Sequence, residues 1–218
     1  MSPASSIDLV WPSLPVAVTE SLLYRSGGIL TMDFPGPEVL EVLRAEALQV
    51  RERGWRNEWS GPEITVERGG NPSRAFTGAH AGEVQWTIFS AAPTVSAIAS
   101  TCGLSAAPTG GGTYSYYEQP GDFLSLHRDI ETCDLTLITC LWDTALSENT
   151  GALLAYPQYI NQPIAAARRA GRASALAASL LPGQSAALLG AVVPHEVSPM
   201  AEGQNRVVSI MCYRVEGF

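Results

Sequence analysis

His127 and Asp129 are two ligand-type side chains one residue apart, at the end of the stretch Tyr117-Glu118-Gln119-Pro120-Gly121-Asp122-Phe123-Leu124-Ser125-Leu126-His127-Arg128-Asp129. The apolar and aromatic run broken by Pro120-Gly121 reads as strand, turn, strand. Residues i and i+2 of a strand face the same way, so the imidazole and the carboxylate project onto one side. The one later histidine, His195, lies in a second β-type run, Val192-Val193-Pro194-His195-Glu196-Val197. Two histidines and one carboxylate converging on a point form the facial set that holds non-haem Fe(II) and leaves coordination positions open. Alone, a His-x-Asp is more often a surface pair or a local hydrogen bond. Its ordered company argues otherwise. Arg206 heads a final apolar run, Arg206-Val207-Val208-Ser209-Ile210-Met211-Cys212-Tyr213. An arginine there calls for an anion, because an unpaired buried charge is costly.

The ordered set Tyr117, Gly121, His127-x-Asp129, Gly151-Ala152-Leu153-Leu154, Leu181-Pro182-Gly183, His195 and Arg206 resembles the Fe(II)/2-oxoglutarate-dependent dioxygenases, and within them the prolyl-4-hydroxylase-like branch. The resemblance spans about residues 27–216 and is strongest from 113 onward. It implies that His127, Asp129 and His195 bind iron, and that Arg206 pairs with the distal carboxylate of 2-oxoglutarate. Tyr117 would hydrogen-bond the same cosubstrate, and Thr136 is a further candidate for holding its distal carboxylate. O2 is the co-reactant, with succinate and CO2 as co-products. Halogenases of this superfamily carry Gly or Ala in place of the carboxylate, so Asp129 implies hydroxylation of an unactivated C–H bond. Desaturation or cyclisation depends on how a substrate is placed.

The elements that must position these residues are legible in outline. The chain, 218 residues, is long enough for one domain and short for two. Gly28–Phe34 reads as a strand, and Pro37 opens a helix carrying Val39, Leu40, Leu43, Ala47 and Val50 at helical spacing, with Gly54 able to cap it left-handed. Residues 82–102 read as helical, with Pro93 restarting and Gly103 stopping the helix. Short β runs follow at 113–118, 123–129, 134–142, 151–156, 185–190, 192–198 and 206–215. Many short strands with turn residues between them predict a mainly β fold with flanking helices, a double-stranded β-helix (jelly-roll or cupin-like) barrel. Residues 1–26 are expected to be an irregular lead-in to a single domain over 27–218, and an alanine-rich helix is expected to be inserted near 164–180. Strand parity turns Arg206, Val208, Ile210 and Cys212 inward with Tyr117, while Ser209, Tyr114 and Tyr116 face the other way.

Residues 55–80 form a polar-aromatic stretch, either a substrate lid or a surface hairpin. Trp59 and Arg74 within it, and Arg128 between the two ligand positions, are the candidate substrate contacts. His80 is expected to be structural or solvent-facing. Arg168, Arg169 and Arg172 read as a solvated helix face.

Composition limits the partners. A net charge of −8 argues against nucleic acid or an anionic membrane surface as the main partner, since both need clustered basic residues. No stretch has the length of a membrane span or the pattern of a signal peptide, so a cytoplasmic location is expected. Cys102, Cys133, Cys140 and Cys212 show no C-x-x-C pair and read as reduced core thiols. A small-molecule substrate, an amino acid or a natural-product intermediate, is the expectation. The rival reading is a cupin-like isomerase, a cosubstrate-free dioxygenase or a binding module on the same barrel. Arg206 separates the two, because a cupin without 2-oxoglutarate has no need of it.

Overall fold

Apolar side chains are buried from the start of the described residues. In the computed structural model, which describes residues 14–61, 67–110, 112–144 and 150–218, two single helical turns come first, α1 (Val16–Thr19) and α2 (Leu22–Arg25). They place Val18 and Leu23 fully in the core. The expected irregular lead-in is therefore ordered and packed from residue 14; residues 1–13 of it lie outside the described residues. β1 (Ile29–Met32) follows, then α3 (Pro37–Arg51), which starts on Pro37 and buries Leu40, Leu43, Ala47 and Val50. The helix ends with Glu52 still right-handed, and Gly54 does not adopt the left-handed cap expected of it.

The stretch from residue 55 is a hairpin, β2 (Trp55–Trp59) against β3 (Arg74–His80); residues 62–66, part of the proposed lid, lie outside the described residues. The helical region divides at Pro93 into α4 (Glu83–Ser90) and α5 (Ala92–Cys102), and Gly103, at φ 67°, closes the second in the left-handed conformation that favours glycine. Buried Glu46 of α3 accepts from the backbone N–H of Val84 at 2.7 Å and of Gln85 at 3.0 Å. A carboxylate there satisfies orphan donors at the positive end of α4 and ties two helices together.

The β-rich half runs β4 (Ala106–Pro108), β5 (Thr113–Tyr117), β6 (Phe123–His127), β7 (Leu135–Asp143) and β8 (Leu153–Ala155). α6 (Ile164–Ala170) stops at Gly171, and instead of the longer helix expected, a 3-10 turn leads to a short edge strand, β9 (Leu176–Ala178), on β8. β10 (Ser185–Leu188), β11 (His195–Val197) and β12 (Arg206–Val215) complete the chain. All pair antiparallel in one sheet of order β1-β10-β7-β12-β5-β3-β6-β11-β8-β9, with β2 on β3 and β4 on β12. The sheet curls into a nearly closed barrel with helices packed on its outside. The mainly β, jelly-roll architecture is as expected. Side chains alternate as parity requires: Ser209 turns out to meet the Gln85 amide at 2.7 Å, while Tyr114 and Tyr116 donate to Glu46 Oε2 and the Ala47 carbonyl of α3. No helix among the described residues is long and apolar enough to cross a membrane.

One cysteine expectation is overturned. Cys133 and Cys212 form a disulfide, with Cα atoms 4.8 Å apart, tying the approach to β7 to the far part of β12. The two positions are 79 residues apart, and only the β7–β12 pairing, which sets Cys212 opposite Thr136, brings them together. The reduced-thiol argument for a cytoplasmic location loses this pair. Cys102 and Cys140 are buried and free, and burial pushes their thiols up to about 12 and about 11. Intact protein exposed to iodoacetamide without reductant should therefore stay unlabelled. The same protein unfolded without reductant should take two labels, on Cys102 and Cys140, and all four only after reduction. Peptide mass mapping reads the outcome, and label on Cys133 before reduction would sink the pairing.

Candidate active site

His127 ends β6 and His195 begins β11, and the antiparallel register sets them directly opposite each other. Their ring centroids are 4.2 Å apart. Asp129, two residues past His127, brings Oδ1 to 3.6 Å from His127 Nε2 and 3.5 Å from His195 Nε2. One atom from each residue thus lies within 4.8 Å of the other two. The second ring nitrogens fix the tautomers. His127 Nδ1 lies 2.9 Å from the Ser125 carbonyl and His195 Nδ1 2.9 Å from the Val193 carbonyl. A carbonyl only accepts, so both Nδ1 atoms carry the proton and both Nε2 lone pairs face the shared gap. Burial, together with the neighbouring His195, lowers the His127 pKa below its ordinary value. Burial acts the same way on His195, but Asp129 outweighs it and the His195 pKa is raised. Burial disfavours the Asp129 anion, yet the positive charge of His195 and His127 in their protonated forms draws its pKa well below the usual carboxylate range. Two imidazoles and one ionised carboxylate on one side of a gap suit a divalent first-row metal, Fe(II) included.

The same three side chains line a cavity of about 80 Å³ whose wall also carries Tyr117 and Arg206. Leu124, Ile138, Leu153 and Val208 make much of the remainder, so the cavity wall is largely apolar. Arg206 is buried, donates to the Gly151 carbonyl and lies 3.8 Å from Asp143 Oδ2. Tyr117 lies opposite it in the β5–β12 register, with its ring 5.3 Å from that of Phe76. Burial, opposed by the charge of Arg206, pushes the phenol above its ordinary pKa, so it stays a neutral donor at physiological pH. A second hollow, about 310 Å³, reaches His127 and Asp129 from the side of Gly69, Gly70, Ile130 and the Cys133–Cys212 disulfide.

No family model and no curated protein matches the sequence. Solved structures do. A Pseudomonas putida prolyl-4-hydroxylase superposes with a TM-score of 0.61 at 16% identity, covering 92% of this chain and 98% of that one. The epimerase SnoN from nogalamycin biosynthesis, solved with Fe3+, alpha ketoglutarate and nogalamycin RO, gives 0.63 at 17% identity over 87% and 80%. EctD from S. alaskensis, with 2-oxoglutarate and 5-hydroxyectoine, gives 0.59 at 14% over 94% and 79%. The fold is that of the 2-oxoglutarate–Fe(II) oxygenases.

Within this oxygenase fold the remaining sequence candidates take other places. Thr136, expected at the distal carboxylate, uses its hydroxyl to donate to Asp129 Oδ2 and sits 3.4 Å from Cys133 Sγ. It lies seven residues before Asp143 on β7, and Asp143 is the residue that faces Arg206. Thr136 thus steadies the Asp129 carboxylate, and it lines the same cavity as Tyr117 and Arg206. Thr136→Val keeps the shape and removes that bond; metal affinity should fall about tenfold, the lower end of the usual loss for such supporting contacts. An anaerobic Fe(II) titration reads it, and unchanged affinity would refute the role.

Arg128, expected to contact substrate, is fully buried; it borders the larger hollow, and its guanidinium is taken up by protein groups. Its Nε donates to the Val192 carbonyl at 2.8 Å, and the rest of the guanidinium to Tyr159, Gln162 and Glu67. It fastens the turn before His195 to the end of β6. Arg74 is likewise engaged by Asn57 and Asn71 at 2.6 Å and by the Pro72 carbonyl, which shape the β2–β3 hairpin. Trp59 is partly exposed on that hairpin, and the Trp55 ring packs tilted against His80, centroids 4.8 Å apart. Arg68 bonds Asp134 Oδ1 and the Ile130 and Glu131 carbonyls, bracing the rim of the larger hollow. Three parts of the site carried no sequence signal: Asp143 beside Arg206, the disulfide at the rim, and Gly190 beneath Asp129.

Proposed function

We propose that the protein is an Fe(II)- and 2-oxoglutarate-dependent oxygenase that hydroxylates an unactivated C–H bond of a small molecule. One observation carries the reading: two imidazoles, a carboxylate and a buried arginine share the wall of one small, largely apolar cavity. His127, Asp129 and His195 would hold the metal through Nε2, Oδ1 and Nε2, leaving the cavity side open. When bound, ferrous iron with 2-oxoglutarate and O2 supplies the oxidation, the keto acid leaving as succinate and CO2 with one oxygen atom in succinate and the other delivered to substrate.

The protein's part is placement and exclusion. Arg206 offers charge-assisted donors to the distal carboxylate of the keto acid, and the neutral Tyr117 phenol offers one more. The apolar walls between them and the histidines keep water from the reacting centre. The substrate would approach through the hollow rimmed by Gly69, Gly70 and Ile130, on the Asp129 side of the triad. Asp129 supports oxygen transfer over halide transfer because the carboxylate takes the position a halide would need. The solved relatives include a hydroxylase and an epimerase, so the small-molecule hydroxylation itself rests on that carboxylate and on the size of the hollow.

The cupin-like alternative is disfavoured by Arg206, a buried cation that such a module has no cause to keep in its cavity. The test is succinate formation from 2-oxoglutarate with Fe(II), screened over free amino acids, carrier-bound amino acids, short peptides and neutral polycyclic compounds, with the oxygenated product identified by mass. A gain of one oxygen atom by a small molecule, with matching succinate, is the expected result. Product formation that does not require 2-oxoglutarate would overturn the proposal.

A further inference from the structure

We infer that Gly190 is a positioning residue for the metal site: its missing side chain is the space in which the Asp129 carboxylate stands. This rests on the proposed metal role of Asp129. Gly190 lies in the turn between β10 and β11, and its backbone φ is not in the left-handed region, so conformation alone does not require glycine. What requires it is proximity. A Cβ built on Gly190 would fall 1.8 Å from Asp129 Oδ2, 2.7 Å from Asp129 Cγ and 2.9 Å from Thr136 Oγ1. Those atoms are the carboxylate and the hydroxyl that steadies it.

The backbone at Gly190 cannot withdraw cheaply. Its carbonyl accepts from the Asp129 N–H at 2.8 Å, and its own N–H donates to the Leu188 carbonyl at 2.8 Å. Two residues on, the Val192 carbonyl is held by Arg128 Nε at 2.8 Å. The turn is thus docked on the 128–129 segment at Gly190 itself and again at Val192. An added methyl group therefore displaces the softer partner, the carboxylate, breaking the Thr136 bond and swinging Oδ1 out of reach of the two Nε2 atoms. Alanine at 190 should empty the metal site while every ligand residue is still present.

The experiment uses the full chain stripped of metal, with Co(II) under anaerobic conditions as the probe, following both affinity and the visible ligand-field spectrum. Wild type should bind. Gly190→Ala should bind at least about tenfold more weakly, with an altered spectrum, whereas Gly36→Ala, where nothing lies within 4 Å of the new methyl, should match wild type. Thermal melting of the metal-free proteins completes a cycle. Gly190→Ala should cost stability in wild type but little in an Asp129→Ala background, where the obstructing carboxylate is gone. If Gly190→Ala does not fold and the double variant does, the clash is established by that rescue. Wild-type affinity and spectrum in Gly190→Ala, equal destabilisation in both backgrounds, or failure of both to fold would each overturn the inference. Absence of Co(II) binding by wild type would instead remove the metal reading beneath it.

Discussion

His195→Ala is expected to lose Fe(II) binding and 2-oxoglutarate turnover together. Removing one of three protein ligands should weaken the metal by more than about 100-fold, the upper end of what loss of a mere supporting contact costs. Because the ring lies against His127 in an antiparallel pair whose neighbours are unaltered, the barrel should remain folded, and circular dichroism is the control. His127→Ala should behave alike. Retention of full activity by either would end the metal assignment. Acid should act through the same residue. Asp129 raises the His195 pKa, so as pH falls His195 takes up its proton early and gives up its Nε2 lone pair. Burial and His195 lower the His127 pKa, so His127 protonates later. Metal occupancy should therefore decline on mild acidification, and dialysis at stepped pH with metal analysis checks the sign. In the metal-free protein the lowered Asp129 pKa contributes stability that is present above the ordinary carboxylate pKa and lost as pH falls below it.

Arg206→Ala should act on the cosubstrate and leave the metal. Loss of one partner of a buried, hydrogen-bonded charge pair costs roughly 2–5 kcal/mol. At about 1.4 kcal/mol per factor of ten, that is on the order of 30- to 3,000-fold in the 2-oxoglutarate requirement. Fe(II) affinity should stay near that of wild type. Arg206→Lys keeps the charge and loses the planar fork, so its effect should be smaller. The Asp143 carboxylate, 3.8 Å from the guanidinium, is left without that cation in the alanine variant, so a drop in melting temperature should accompany the kinetic change. An unaltered KM for 2-oxoglutarate in Arg206→Ala would leave the cupin-like reading standing.

The candidate site was legible in the sequence because its side chains are set by short-range geometry. His127 and Asp129 lie on one side because they are two residues apart at a strand end, and Arg206, Val208 and Ile210 share a face for the same reason. The helix from Pro37 and the break at Pro93 were readable from local backbone restriction. Charged residues were another matter. Arg74 and Arg128 looked available in the sequence, but an arginine's role depends on which carbonyls and carboxylates the fold brings within 3 Å of it. The bond from Thr136 to Asp129 likewise depends on the approach of two segments that the local sequence does not set.

The sequence by itself determined the candidate ligand types, their shared strand faces and the β-rich architecture, since strand period and turn chemistry act over a few residues. Only the tertiary structure decided that His195 stands opposite His127, that Cys133 reaches Cys212, that Asp143 faces Arg206, and that Gly190 leaves room for Asp129. Each of those contacts joins segments far apart in the chain. Their proximity follows from strand register and from the closure of the sheet, which no local pattern encodes.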